Sequence, residues 1–406
     1  MLTADDAGAT TVVRELRDDR WLDLVDGSPA WLDGALVTTV DADDTHRLRI
    51  GEEVVTPPGL QVTSVIDAGD GSVWFTAFDD PFEEHVFRVA PGREPERISA
   101  EPGLHSGAIG GPTLVHVART EEADLPSVSV VRSDGSRSEL ANVAETSVVV
   151  AQPIFAELGP RRLRAVLMLP GGHDPDGPVP VLLSPYGFPH FRQVVRWRGM
   201  YRIQQWFADR LGIAVLSIDG RGTPGGVAWE KAVHRDFSVV LDDQIEGLQA
   251  AAERWPFLDL TRVAMRGWSG GGVLAGLAVL KRPDVFHAGI AGAPVGDQRL
   301  YDTAYSERYL GDPGVDPEAY ERSSLVAYAR TASPHRSLLL MHGLADDNVF
   351  VANTLQLSAA LLANGYQHDL VLLPNSSHMG GMEELSVAED LVELDFLRRA
   401  FGLPAP

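Results

Sequence analysis

From Arg162 onward the chain alternates continuous apolar runs with helix-like stretches, and this alternation restricts the fold more than any other feature. The runs are RLRAVLML, VPVLLSPY, IAVLSIDG, RVAMRG, FHAGIAGAP, SLLLMHG and HDLVLLP. Between them lie MYRIQQWFADRL, LDDQIEGLQAAAERW, VLAGLAVLKR, TLQLSAALLANG and AEDLVELDFLRRAF. A strand with no polar face is buried on both sides, which calls for helices above and below a mostly parallel sheet. An α/β domain is therefore expected over residues 151–406, with PGGHDPDGPVP, Pro170 to Pro180, as a loop inside it.

The first 150 residues obey a different period. Short alternating segments are broken by Asp, Gly and Pro, with no helical stripe, so this region is expected to be all-β. ALVTTVDADDTHRLRI from Ala35, SVWFTAFDDPFEEHVFRV from Ser72 and TLVHVARTEEADLPSVSVV from Thr113 each read as strand, acidic turn and strand. Their spacing of about 40 residues suits four-stranded propeller blades. Closed propellers need roughly 4 to 8 blades, whereas about three are legible here, so a partial β-propeller-like region is expected. The boundary falls between Leu140 and Gln152.

Composition narrows the function classes. A chain of 406 residues is long enough for two cores. A formal charge of −23 with no basic cluster disfavours nucleic-acid partners. Zero cysteines exclude disulfides, thiolate metal sites and a thiol nucleophile. The opening MLTADDAGATT lacks a basic segment followed by an apolar one, and the apolar runs fall short of the roughly 20 residues a membrane helix needs. A cytoplasmic protein without membrane association is the expectation, and no metal or other cofactor is implied.

The chemistry concentrates at Gly267-Trp268-Ser269-Gly270-Gly271, a G-x-S-x-G string between a buried strand and a helix. Small residues flank Ser269 because such a turn leaves no room for side chains. A serine hydroxyl needs a base within hydrogen-bond reach, itself held by a carboxylate. Downstream, LLLMHGLADDNV ends one strand in an acidic loop and LVLLPNSSHMGG ends the next in a histidine loop. Both loops lie at the carboxyl ends of strands, where open α/β sheets place their sites. His378 is the candidate base and Asp346 or Asp347 the candidate acid, a choice that spacing leaves open; His342 reads as a structural strand-end residue. The Gly270 N–H is one candidate oxyanion donor. SPYGFPH stands where an HGGG-type string often supplies the second, and Tyr186 offers a phenol there.

These segments resemble the prolyl oligopeptidase family of serine peptidases, most closely its dipeptidyl-peptidase-IV branch. The resemblance runs through SPYG, SIDGRGTPGG, DDQIEG, GWSGGG, YDTAYSERYLGDP, HGLADDNV and SSHMGG, in the family's order. It implies an α/β-hydrolase domain preceded by a β-propeller. It also implies Ser269 as nucleophile, Asp346 rather than Asp347 as acid, His378 as base, and Tyr186 with Gly270 as oxyanion donors. Tyr301 and Tyr305 would wall a proline pocket, with Asn348 and Val349 contacting substrate carbonyl and pocket wall. The implied activity is peptide hydrolysis through an acyl-enzyme, after proline or small residues. An esterase on the same fold and a truncated binding or assembly module are the rival readings. Relatives carry aromatics where Gly270 and Val273 stand and often a tryptophan at Gln298, so a thinned pocket wall is expected. The family's paired glutamates that hold a free amino terminus have no counterpart; Glu52-Glu53, Glu83-Glu84 and Glu121-Glu122 read as solvated turns. A partner or second copy completing the propeller is a further expectation.

Overall fold

In the computed structural model, which describes residues 1–173, 177–381 and 383–404, eight strands form one sheet in the second half of the chain. They are β1 (Ile154–Leu158), β2 (Leu163–Met168), β3 (Val179–Leu183), β4 (Ala214–Asp219), β5 (Leu258–Trp268), β6 (Ala288–Gly292), β7 (Ser337–Gly343) and β8 (Asp369–Leu373). The spatial order is β1-β2-β4-β3-β5-β6-β7-β8. β1, β2 and β4 pair antiparallel and the remaining neighbours parallel. The sheet is thus the α/β-hydrolase arrangement, with an antiparallel edge that the apolar runs did not reveal. Residues 174–176, in the loop expected at Pro170 to Pro180, lie outside the described residues.

The helices that position the site are α1 (Arg202–Leu211), α2 (Val239–Arg254), α3 (Gly270–Lys281), α4 (Thr303–Leu310), α5 (Ala352–Ala363) and α6 (Glu383–Phe401). They divide between the sheet's two faces. One face buries Val181, Leu183, Leu216 and Met265 against Leu241, Leu248, Leu274 and Leu277 of α2 and α3. The other buries Val166, Leu182, Val215 and Ala264 against Phe207 of α1 and Leu394, Leu397 and Phe401 of α6. Neighbouring strand residues point to opposite faces, so both groups come from the same apolar runs.

The first 150 residues hold three four-stranded antiparallel sheets. The first comprises Ala30–Leu32, Ala35–Ala42, Thr45–Ile50 and Glu53–Val54; the second Gln61–Gly69, Ser72–Phe78, His85–Val89 and Glu96–Arg97; the third Leu104–Gly110, Thr113–Arg119, Ser127–Val131 and Arg137–Leu140. The first two pack through Val37, Leu48, Ile50, Val62, Phe75 and Phe87. Between the second and third, buried His85, His105 and His116 stack with ring centroids 5.1 Å apart at each step.

Two of the glutamate pairs correct the sequence reading. Glu84 is ion-paired to Arg192, whose Nη1 also donates to the carbonyls of Pro81 (3.1 Å) and Glu83 (2.9 Å). Arg196 pairs with Glu121 at 2.5 Å and Glu83 at 3.4 Å. These carboxylates are held by the loop after β3 because a charge at a domain junction needs a partner once water is excluded. Glu52 is exposed, as expected.

A second junction centres on His46, between Asp41 (2.7 Å) and Glu230 (3.1 Å), with Lys231 bridging Asp18 (2.7 Å) and Asp41 (2.8 Å). Burial opposes a charge on His46, but hydrogen bonds to Asp41 and Glu230 outweigh it and push its pKa up to about 10. An unfolded histidine titrates near about 6.5. The stabilisation is therefore full below that value and lost as pH rises through about 10. Thermal midpoints of the wild type and His46→Gln, compared from pH 6 to 10.5, should converge as pH rises; a constant difference would show that His46 acts without its charge.

Candidate active site

The chain leaves β5 at Trp268, turns at Ser269 and enters α3 at Gly270. Ser269 has φ 58° and ψ −118°, a conformation that a β-carbon disfavours and that the surrounding structure must enforce. Its N–H donates to the Gly292 carbonyl of β6 at 2.8 Å, and its carbonyl accepts from Val273 N–H at 3.0 Å. A methyl group at Gly267 would lie 2.3 Å from the Gly271 carbonyl carbon, and one at Gly271 2.7 Å from the Pro185 carbonyl oxygen. Glycine is required at both because backbone closes on the elbow from two sides.

The loops after β7 and β8 converge on this elbow. His378 Nδ1 lies 2.7 Å from Asp346 Oδ2. Asp346 Oδ1 accepts the backbone N–H groups of Asn348 (3.0 Å) and Val349 (2.8 Å), so the carboxylate is fixed in orientation. Its side chain is fully buried, whereas Asp347 is exposed. His342 lies 3.3 Å from Asp346 Oδ2 through Nε2, which also contacts the Val349 carbonyl at 2.7 Å, while Nδ1 contacts Thr354 Oγ1 at 2.7 Å. That buried imidazole braces the acid loop. The Trp268 indole donates to the His378 carbonyl at 2.8 Å and ties the histidine loop to the elbow.

Tyr186, in the loop after β3, lines the same cavity as Ser269; burial raises the phenol's pKa and the neighbouring Ser269 partly offsets the rise. Gly270 opens α3, where the first N–H groups have no intrahelical acceptor. Asp302 caps α4 by accepting from Ala304 N–H at 2.7 Å, which sets Tyr301 and Tyr305 edge to face with centroids 5.4 Å apart. Tyr301 Oη donates to Asn348 Oδ1 at 3.1 Å. These groups line one cavity of about 610 Å³ together with Val273, Val295 and Gln298.

Two expectations change here. Val349 is fully buried and does not line the cavity; its backbone serves the Asp346 loop. The wall at Gly270 is not thinned either, because a methyl group there would lie 2.8 Å from Phe188, whose ring fills that space from the opposite loop. Residues not singled out from sequence also line the cavity, among them Gln193, Gln204, Arg266 and Glu393. Arg266, directly after the buried apolar run Val263-Ala264-Met265, was the available signal.

Other polar clusters lie apart from Ser269. Among the described residues, Asp23, Asp41 and His46 form a group whose ligand-type atoms fall within 4.8 Å of one another, and their ion pairs to Glu230 and Lys231 already engage His46 and Asp41. No helix among the described residues is long and apolar enough to cross a membrane.

The fold and this constellation define an α/β hydrolase with a serine, a histidine and an aspartate at the carboxyl edge of its sheet. The chain belongs to the prolyl oligopeptidase family, whose signature matches residues 198–404. It is 36% identical to dipeptidyl peptidase 8 of Homo sapiens over 245 residues, covering 59% of this chain and 27% of that protein. It is 30% identical to a protein of Aspergillus terreus named as a probable dipeptidyl-aminopeptidase B over 367 residues, covering 85% of this chain and 39% of the relative. The chain thus spans about two-fifths or less of these curated relatives. The crystal structure of dipeptidyl peptidase 4 from Porphyromonas gingivalis superposes with a TM-score of 0.82 at 24% identity, over 94% of this chain and 57% of that one.

Proposed function

We propose that the chain is a serine peptidase that cleaves peptide bonds after proline or small residues through an acyl-enzyme. The observation that carries this reading is the 2.7 Å contact between His378 and Asp346 at the loops facing the Ser269 elbow. In the reaction Ser269 Oγ attacks the carbonyl carbon while His378 takes its proton and then delivers it to the leaving nitrogen. Asp346 holds the imidazole tautomer, and the Gly270 N–H and Tyr186 hydroxyl receive the oxyanion. Water then repeats the sequence on the acyl-enzyme. The faces of Tyr301 and Tyr305 suit a proline ring, which is apolar and brings no N–H to satisfy.

A serine-reactive aryl phosphonate tests the reading. Covalent labelling that disappears in Ser269→Ala supports it, whereas an unlabelled folded chain would favour a binding or assembly module. Matched ester and amide substrates separate the peptidase from an esterase on the same fold.

A second cavity of about 200 Å³ shares His190 with the first and is lined by Asp23, Glu84 and Glu230. Glu84 and Glu230 are neutralised by Arg192 and His46, while Asp23 Oδ2 is buried with no hydrogen bond, 3.9 Å from the His46 Nε2 that Glu230 already engages. That acidic neighbour supports an amino-terminal preference, in line with the names of the relatives. Peptides with free amino termini should be cleaved about tenfold more efficiently than acetylated ones, the scale of one charge-assisted hydrogen bond. Equal kcat/KM for the two would assign internal cleavage instead.

A further inference from the structure

The catalytic cavity is lined from both faces of the sheet, and each set of lining residues is taken as one lobe. Tyr301, Tyr305, Val273 and Val295 join the core built on α2 and α3. Arg266 and Trp268 are two apart on β5 and share the other face, where Trp268 packs on the α1 and α6 core and the Arg266 guanidinium lies 4.9 Å over Phe207. Gln193, Gln204 and Glu393 line the same cavity. Ser269 sits where the two meet.

The chemistry assigns the lobes. The general acid must stand on the leaving-group side of the reacting carbon, and His378 is tied to Trp268 through its carbonyl. The lobe beside Trp268 therefore receives the leaving segment, and the tyrosine lobe receives the acyl part. This assignment rests on the serine peptidase reading.

One polar atom on the leaving side has no hydrogen-bond partner in the protein. Gln204 is 8% exposed, and its Oε1 is buried with nothing to accept from. A buried amide oxygen left unpaired costs free energy that a bound donor recovers. Arg266 spends Nε (2.7 Å) and Nη2 (2.6 Å) on a single oxygen, Oε2 of Glu393. Burial raises the Glu393 pKa, as does the neighbouring Asp390, against the lowering effect of Arg266. With Nε and Nη2 both engaged by Glu393, the Arg266 charge is already balanced before a substrate carboxylate arrives.

We infer that Gln204, with Gln193 and the Arg266–Glu393 pair, forms a leaving-side subsite that binds neutral amide-bearing residues of the departing peptide and rejects acidic ones. Gln204 Oε1 accepts an N–H from the substrate, and a glutamate side chain there would face an acceptor and the Glu393 carboxylate instead.

The test uses the intact chain. A proline arylamide, which has no departing peptide, is compared with peptides carrying Gln or Glu at the first or second position after the scissile bond. At one of those positions Gln should be preferred over Glu by about tenfold, the scale of one neutral hydrogen bond at a buried site. In Gln204→Leu that preference should fall below about twofold, and the ratio of Gln-peptide to arylamide kcat/KM should drop by about tenfold. Gln193→Leu provides an independent variant on another element, expected to act in the same direction. Equal cleavage of Gln and Glu peptides by the wild type would overturn the subsite while leaving the peptidase reading intact, as would parallel losses on arylamide and peptide. Failure to cleave even the arylamide, with Ser269 unlabelled by phosphonate, would overturn both.

Discussion

Ser269→Ala and His378→Ala should each lower kcat on a proline arylamide by about 10⁶-fold, and the double variant should lose little more. The reason is that nucleophile and base act as one unit: without the hydroxyl the imidazole has no proton to accept, and without the imidazole the hydroxyl remains a weak nucleophile. Asp346→Asn tests the third member. Its Oδ2 faces His378 Nδ1 at 2.7 Å, and an amide at that position favours the wrong tautomer, so a loss of about 10⁴-fold is expected. Asp347→Asn alters an exposed side chain one residue away and should stay within about twofold, as surface changes do. Greater sensitivity at Asp347 than at Asp346 would reverse the assignment of the acid.

The elbow was legible because its determinants are local. Gly267 is demanded by the backbone of Gly271 within the same turn, and the strand-turn-helix context is written in consecutive residues. The acid was less so. Spacing left Asp346 and Asp347 equivalent, and the structure separates them through burial and the two N–H groups that point at Asp346. Sequence failed where a group's environment is supplied from afar. Glu84 reads as an acidic turn, yet its partner Arg192 lies 108 residues downstream. Gly270 looks like a missing aromatic until Phe188 is seen to occupy the space. The leaving-side lobe draws on the loop after β3, on α1, on β5 and on α6, and no window of sequence contains more than a fragment of it.

Tyr186→Phe should cost about 10²- to 10³-fold in kcat, with KM little changed, because an oxyanion donor acts on charge that exists only in the transition state. The substitution is well suited to isolate that effect. The Tyr186 ring packs edge to face on Phe191 with centroids 5.0 Å apart, contacts that phenylalanine keeps. Its packing against the core of the α2 and α3 face is retained for the same reason. What disappears is a hydroxyl in the cavity that Ser269 lines, where burial raises the phenol's pKa and so holds it in the protonated, donating form at neutral pH. The Gly270 N–H remains in the variant, which is why residual turnover should exceed that of Ser269→Ala by orders of magnitude. The discriminating measurement is the pair of kcat and KM on the same arylamide, alongside the thermal midpoint. Unchanged kcat with an unchanged midpoint would reduce Tyr186 to a wall of the pocket, and a loss confined to KM would make its hydroxyl a ground-state contact rather than an oxyanion donor.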